Sequence, residues 1–560
     1  MDLLQIVIVI GILMLIAKPL GNYLFHVFSN EPNRTDKLFG WAEKTIYAVI
    51  GLKQRVGMSW KRYAFSFLAT NFVLVAVSYL ILRLQGGLPL NPNDVGGMEP
   101  TLVMNTVISF ITNTNLQHYS GETGLAYFSQ MAVIMMMMFT SAATGFSVAV
   151  AFVRGITGKG RTVGNFFEDF VKAHTRVFFP LAFLVTLLLV ALHVPQTLDP
   201  TLSITTLTGA AQQIAIGPVA SLEAIKHLGT NGGGFFGANS AHPFENPNGL
   251  TNVIEILSMW MLSAALPFMY GRFAKSRKQG WVIFSAMMML FLVFLTVAYT
   301  AEKSGNPALN ALGIDASQGS MEGKEVRFGI AQSALFTTVT TAATTGSVDN
   351  MHDTLTPLGG LAPLAEMMLN VVFGGKGVGL VNMLMYAILA VFICGLMVGR
   401  TPEFLGRKIE PREMKLIAIA VLTHPLIILA PTAIAFLTDL GKGAVTNPGF
   451  HGISQVLYEY TSSAANNGSG FEGLADNTPF WNITTGLVMF FGRYISMIAL
   501  LAVAGSLTRK QWVPETIGTF RTDNALFTFL LIGTVILIGA LTFLPVIALG
   551  PVAEHLTLRY

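Results

Sequence analysis

Gly229-Thr230-Asn231-Gly232-Gly233-Gly234 follows an apolar stretch, Pro218–Leu228, that is too short to cross a membrane. About eleven residues make a helix of roughly 16 Å, half a bilayer. The same pairing recurs elsewhere. Thr112-Asn113-Thr114-Asn115-Leu116-Gln117 follows Thr101–Ile111. Thr340-Thr341-Ala342-Ala343-Thr344-Thr345-Gly346 follows Phe328–Val339, and Ser463-Ala464-Ala465-Asn466-Asn467-Gly468-Ser469 follows Gly452–Ser462. All four tails are small and polar, and mostly Gly, Thr or Asn. With Asn115, Gly232, Gly346 and Gly468 taken as equivalent, the spacings are 117, 114 and 122 residues. A near-constant period of that length marks duplicated structural units.

Composition supplies the solvent for these half-helices. Of 560 residues, 52% are hydrophobic and 11% charged, with a mean hydropathy of +0.59. A soluble chain carries roughly 25% charged residues, so too few remain here to cover a water-exposed surface. A lipid-crossing helix needs about 20 apolar residues. Ten segments qualify: 3–25, 63–84, 128–153, 177–194, 253–271, 281–299, 379–399, 416–438, 483–507 and 525–549. The first run follows only Met1 and Asp2, has no basic leader, and is expected to be a retained helix.

Lys and Arg set the sidedness. The loops 26–62, 154–176, 272–280, 400–415 and 508–524 hold 24 of the 34 basic residues, and the opposite side holds seven in much longer loops. The first group is expected on the cytoplasmic face, with both termini outside. This spread accounts for a pI near 9.0 without nucleic acid as a partner. The outer loops and tail carry 18 Asp or Glu. That excess would raise the local cation concentration, although ordinary surface solvation also produces it. Cys394, alone in an apolar run, reads as a small buried residue.

Span, half-helix, polar loop, span is thus the repeating unit. Residues 63–176, 177–280, 281–415 and 416–524 make four of them, with an extra helix and cytoplasmic loop in 1–62 and a last extra helix in 525–560. The expected fold is an all-α integral membrane protein with four pseudo-repeated membrane–pore–membrane units around one pore, plus two extra helices. An arginine recurs at the inner end of each unit's second span: Arg154, Arg272, Arg400 and Arg493. Arg154 and Arg272 read as snorkelling side chains. Arg493 falls about ten residues into its span, where a charge is costly and often functional. Arg400 reads either way, and both are candidates for gating or coupling.

A bare potassium ion must exchange water oxygens for protein oxygens, and rings of backbone carbonyls achieve this in potassium channels. Glycine permits the backbone that points carbonyls inward, and Thr and Asn side chains can tie the strand to its surroundings. The half-helices would turn their partly negative C-terminal ends toward the filter, favouring a cation. An anion site would want helix N-termini and basic residues. The four tails contain no Lys or Arg.

At these residues the sequence resembles the superfamily of potassium transporters, and most closely the potassium-binding, channel-like subunits of bacterial Kdp potassium-transporting P-type ATPases. The resemblance is carried by Thr112–Asn115 with Tyr119–Glu122, Leu228–Phe236, Ala238–Pro247, Met321–Glu325, Gly399–Glu403 and Ser463–Asn467, spread over nearly the whole chain. It implies potassium coordination by carbonyls of Asn113, Thr114, Thr230, Asn231, Thr344, Thr345, Asn466 and Asn467, with the adjacent Asn115, Gly232, Gly346 and Gly468. It implies a role for Gln117 beside the filter in ion affinity. It also implies that the third unit's second span is interrupted near Gly374, Gly375, Gly377 and Gly379, forming a loop that blocks straight passage to the cytoplasm. That run is not a nucleotide loop, because it lacks the GxxxxGK[ST] spacing.

Nothing in the chain hydrolyses ATP: there is no Walker loop and no Asp-Lys-Thr-Gly sequence, and the inner loops are too short for a nucleotide domain. No cofactor is expected in this chain, and potassium is its substrate. The resemblance implies a separate P-type catalytic subunit that uses ATP and magnesium, a small single-span subunit and a very small stabilising peptide, all in the bacterial inner (plasma) membrane. In that arrangement the chain is one subunit of an ATP-driven translocase. A passive potassium channel or symporter without an ATPase partner is the alternative, and the extra end helices argue mildly against it.

Overall fold

The computed structural model describes residues 2–29, 31, 35–52, 56–314, 318–514 and 519–558. Among the described residues, ten helices are long and apolar enough to cross a membrane, and the chain is a multi-pass membrane protein. In chain order the helices that matter for the site are α1 (Asp2–Phe28), α2 (Thr35–Val49), α3 (Trp60–Leu84), α4 (Pro100–Ile111), α5 (Tyr127–Thr157) and α6 (Phe166–Ala191). They continue with α7 (Val219–Leu228), α8 (Gly249–Phe273), α9 (Arg277–Lys303), α10 (Gly329–Ala342) and α11 (Pro357–Leu369). The last are α12 (Val378–Met397), α13 (Pro411–Leu437), α14 (Phe450–Ala465), α15 (Pro479–Leu507) and α16 (Ala525–Ile547).

Local chemistry sets the helix starts. Glu99 caps α4 by accepting from Leu102 N at 2.8 Å, and Pro100 occupies the first turn, where a missing N–H costs nothing. Asn248 and Thr251 form a reciprocal capping box on α8. Thr356 caps α11, again with proline next. Each short helix (α4, α7, α10 and α14) precedes one of the polar tails.

Burial separates inner from outer spans. The second spans α5, α8, α12 and α15 are 89, 78, 67 and 61% buried, against 28, 44, 56 and 28% for the first spans α3, α6, α9 and α13. The second spans therefore surround the axis and the first spans face outward. α15 packs on α4 and α5, so the fourth group of helices closes on the first. α1 lies along α8, where a Cβ on Gly21 would meet the Ala265 carbonyl at 2.5 Å. α16 lies against α9, α11 and α12. These end helices sit outside the ring, with most of their surface open to lipid.

Several features depart from the sequence reading. The span expected at 177–194 belongs to a longer helix that starts at Phe166 and contains a π-helical turn at Ala173–Phe178. The short helices α10 and α14 run past their expected ends, to Ala342 and Ala465. α2 is an additional helix before α3, held by Glu43, whose carboxylate accepts from Arg176 Nη2 at 2.7 Å. Two small hairpins interrupt the helical fold: Leu202–Thr205 pairs antiparallel with Ala211–Ile214, and Glu403–Phe404 with Arg407–Lys408.

Candidate functional site

Each short helix ends in the same way. One or two residues past its end the backbone turns left-handed, at Asn113 (φ 66°), Thr230 (49°), Thr344 (44°) and Asn466 (56°). Two residues on, Asn115 (57°), Gly232 (93°), Gly346 (89°) and Gly468 (104°) are left-handed again. The residue between donates its N–H back to the helix: Thr114 to Ser109 O (2.9 Å), Asn231 to Lys226 O (2.8 Å), Thr345 to Thr340 O (2.7 Å) and Asn467 to Ser462 O (2.9 Å). This is a Schellman-type C-cap, in which orphan helix carbonyls are satisfied by the amides that follow. Those four amides are thereby consumed. Among the described residues, no donor reaches the carbonyl oxygens of Thr114, Asn231, Thr345 and Asn467.

Three of those carbonyls lie against a neighbouring tail. A Cβ on Gly232 would strike the Thr345 oxygen, one on Gly346 the Asn467 oxygen, and one on Gly468 the Thr114 oxygen. The four tails therefore meet in the cyclic order one, two, three, four, one. Glycine is required at these three positions both by positive φ and by the approach of a neighbour's carbonyl. Asn115 takes the equivalent place in the first tail, and neither polar atom of its buried side chain has a hydrogen-bond partner among the described residues.

Asparagine side chains staple the tails together. Asn113 Nδ2 donates to Thr230 O at 2.6 Å, Asn466 Nδ2 to Thr114 Oγ1 at 2.9 Å and Asn467 Nδ2 to Thr340 O at 3.0 Å. Asn239 was not singled out in the sequence, although it lies close behind the second tail. It donates to Gly232 O at 2.7 Å and accepts from Ser347 Oγ at 3.1 Å. Gln117 bridges the first and second tails: its Oε1 accepts from Gly234 N at 2.8 Å and its Nε2 donates to Gly234 O at 3.1 Å. Behind the second tail, Lys226 Nζ meets Glu245 at 2.6 Å and Glu223 at 3.0 Å, all fully buried. The signal for this network was an i,i+3 Glu/Lys pair inside an otherwise apolar half-helix.

The Gly374–Gly379 loop presses on the inner end of the tails. It joins α11, which ends at left-handed Asn370 (φ 48°), to α12. Lys376 N donates to Thr230 Oγ1 at 3.0 Å, and a Cβ on Gly375 would lie 2.5 Å from Thr344 Oγ1. Gly374 and Gly379 pack backbone to backbone, and Gly377 (φ 87°) lies against Gly145 and Ala149 of α5. The Lys376 side chain, not foreseen from sequence, points into protein, 3.2 Å from Met259 O. Arg493 is buried beside the same loop: the Cβ position of Gly145 is 2.5 Å from Arg493 Nη2 and 2.6 Å from the Lys376 carbonyl. Arg493 and the Lys376 backbone thus adjoin one another under the tails, while the Lys376 side chain reaches Met259 O of α8. Arg400 is elsewhere, exposed in the turn after α12, with its N–H on Gly395 O at 2.8 Å. Arg154 pairs with Asp169 at 2.8 Å, and Arg272 lies 4.9 Å from the Phe25 ring centre.

On the far side of the first tail, His118 is buried between the first and fourth groups of helices. Its Nδ1 is 2.7 Å from Asn482 Oδ1, and its Nε2 is 3.4 Å from Glu459 and 3.7 Å from Asp476. Burial alone would lower its pKa. The Asp476 and Glu459 carboxylates outweigh that and raise it to about 9.

Comparison with known proteins fits this geometry. The chain is similar in fold to the potassium transporter TrkH from Vibrio parahaemolyticus, with a TM-score of 0.52 at 15% identity, covering 80% of this chain and 86% of that one. It is 64% identical over 555 residues, 99% of each chain, to a potassium-transporting ATPase potassium-binding subunit from Geobacillus kaustophilus. A family profile described as the potassium-transporting ATPase A subunit matches residues 7–556, and the chain belongs to that family.

Proposed function

We propose that this chain selects potassium from the outside and conducts it as the channel-like subunit of an ATP-driven, high-affinity uptake pump. One observation carries the reading: four tails with alternating left-handed residues, whose amides are tied to helix ends and whose carbonyls at Thr114, Asn231, Thr345 and Asn467 are left for an ion. Oxygen ligands without charge suit a large monovalent cation that sheds its water. The four helix C-termini add partial negative charge at the same place. Asn113, Thr230, Thr344 and Asn466 would supply further carbonyls at the inner end, with Asn115, Gly232, Gly346 and Gly468 holding the backbone open. Gln117 would brace the entrance.

The units in this reading are residues 63–176, 177–280, 281–415 and 416–524, flanked by 1–62 and 525–560. The Gly374–Gly379 loop, with Lys376 and Arg493, would stop straight passage, so the ion must leave sideways. A cavity of about 40 Å³ bordered by Asn370, Asn382, Asn466 and Ser496 supports such an exit. Arg400, remote from the tails, suits a coupling contact on the cytoplasmic side better than a gate. The partner would be a P-type catalytic subunit using ATP and magnesium, joined by a small single-span subunit and a very small stabilising peptide. The complex would sit in the bacterial inner membrane with both termini of this chain outside. Met1 and residues 559–560 lie outside the described residues.

The test is potassium-stimulated ATP hydrolysis by the complex co-purified with this chain, wild type against Gly232→Asp. Stimulation by micromolar potassium that is weakened at least about tenfold in the variant is expected, since 1.4 kcal/mol is a factor of ten. Potassium flux in vesicles with no associated ATPase would favour the passive channel or symporter instead.

A further inference from the structure

We propose that His118, Glu459 and Asp476 form a binding site for a divalent transition-metal ion such as zinc, beside the tails where the first and fourth units meet. Three ligands suited to zinc, one imidazole and two carboxylates, converge there. One ligand atom from each residue lies within 4.8 Å of the other two, and His118 Nε2 is 3.4 Å from Glu459 Oε1 and 3.7 Å from Asp476 Oδ2. Tetrahedral zinc with bonds of about 2.0–2.2 Å places its ligand atoms roughly 3.3–3.5 Å apart. The preformed site therefore needs only small side-chain shifts to close on an ion.

The histidine is already set for this role. Asn482 Nδ2 donates to Thr101 Oγ1 at 3.2 Å, which leaves Asn482 Oδ1 as the acceptor for His118 Nδ1–H at 2.7 Å. Metal-binding histidines commonly donate their other ring N–H to a carbonyl or carboxylate, which fixes the tautomer and the ring orientation. The bond to Asn482 turns Nε2 toward two carboxylates. A bare lone pair facing two anions is unfavourable, so a proton or a metal cation must sit between them. The His118 and Glu459 side chains are 0 and 1% exposed, and Asp476 is 27% exposed. Asp476 thus opens an access route from solvent, and water can take the fourth position.

A second triad, Glu223, His227 and Glu255, does not share these features. All three are fully buried, His227 Nε2 is 2.9 Å from Ser347 Oγ, and the Lys226 ammonium already supplies the cation. Because His118 follows Gln117 in the chain, occupation of the first triad would pin the loop that braces the second tail.

The site is tested by titrating the metal-stripped, tag-free complex with cobalt(II), without potassium, magnesium or ATP. This reads metal binding whether or not the potassium assignment holds. We expect one cobalt per chain with the visible absorption of a four-coordinate ion, and at least tenfold weaker binding in His118→Ala. Asp476→Asn, at the solvent edge, should weaken binding similarly and keeps the test decisive if His118→Ala does not fold. Titrations and spectra identical in wild type and Asp476→Asn would overturn the site.

Discussion

Gly232, Gly346 and Gly468 share one constraint: each is left-handed, and each faces the carbonyl of the next tail where a Cβ would sit. A side chain there costs about 1–2 kcal/mol for the backbone alone, before any carbonyl is displaced. These positions were legible because the chemistry is local: short runs of Gly, Thr and Asn after short apolar stretches. Asn115 was legible by spacing alone, since an asparagine tolerates the same left-handed backbone. Gln117 holds Gly234 through both amide atoms. Gln117→Arg removes the acceptor for Gly234 N and places a positive charge at the cation entrance. It should raise half-saturating potassium by about tenfold or more in the ATPase assay, a loss of roughly 1.4 kcal/mol. An unchanged half-saturation would remove Gln117 from the site.

At the scale of elements, the broken helix α11–α12 is the feature that sequence reading only partly reached. The Gly374–Gly379 run announces a flexible segment, but α11 does not announce a helix. It is 13 residues long and contains Pro357, Gly359, Gly360 and Pro363, which on their own favour a loop. Tertiary packing overrides that: Glu302 Oε1 accepts from Thr356 N at 2.8 Å at the helix start, and Glu366 accepts from Thr341 Oγ1 of α10 at 2.7 Å. The four recurrent arginines differ in their surroundings. Arg154 and Arg272 serve helix packing and Arg400 is remote, while Arg493 alone reaches the loop. Its companion Lys376 sits in a glycine run, where sequence offers no reason to expect a buried lysine. A buried guanidinium at Arg493 beside the proposed ion path would oppose a cation's passage in a low-dielectric interior. Replacing both, Lys376→Met with Arg493→Met, should raise ATP-independent rubidium leak through the reconstituted complex severalfold. A leak equal to wild type would mean that the loop blocks by sterics alone.

At the scale of the whole molecule, long-range polar contacts hold the groups of helices together, and these were invisible in the sequence because each joins residues about a hundred or more positions apart. Asn105 donates to Asn482 O at 2.9 Å, and Asn71 to Tyr494 Oη at 3.0 Å, closing the fourth group of helices on the first. His451, at the start of α14, lies 3.0 Å from Asp353 and 2.8 Å from Glu554 near the chain end. Burial lowers its pKa, but these two carboxylates prevail and raise it from 6.5 to about 9. A raised folded-state pKa stabilises fully below pH 6.5, and the contribution disappears as pH rises through about 9. The melting temperature of the complex should therefore fall across that window, and His451→Gln should be less stable at pH 6.5 and lose less on alkalinisation. Parallel curves for the two proteins would show that His451 does not carry this link. The central claim is that four carbonyls in a ring hold the ion, and the most direct measurement is a structure of the complex with thallium(I) in place of potassium, located by its anomalous scattering. Thallium is expected on the axis between the oxygens of Thr114, Asn231, Thr345 and Asn467. Thallium bound elsewhere in this chain, with none at that ring, would contradict it.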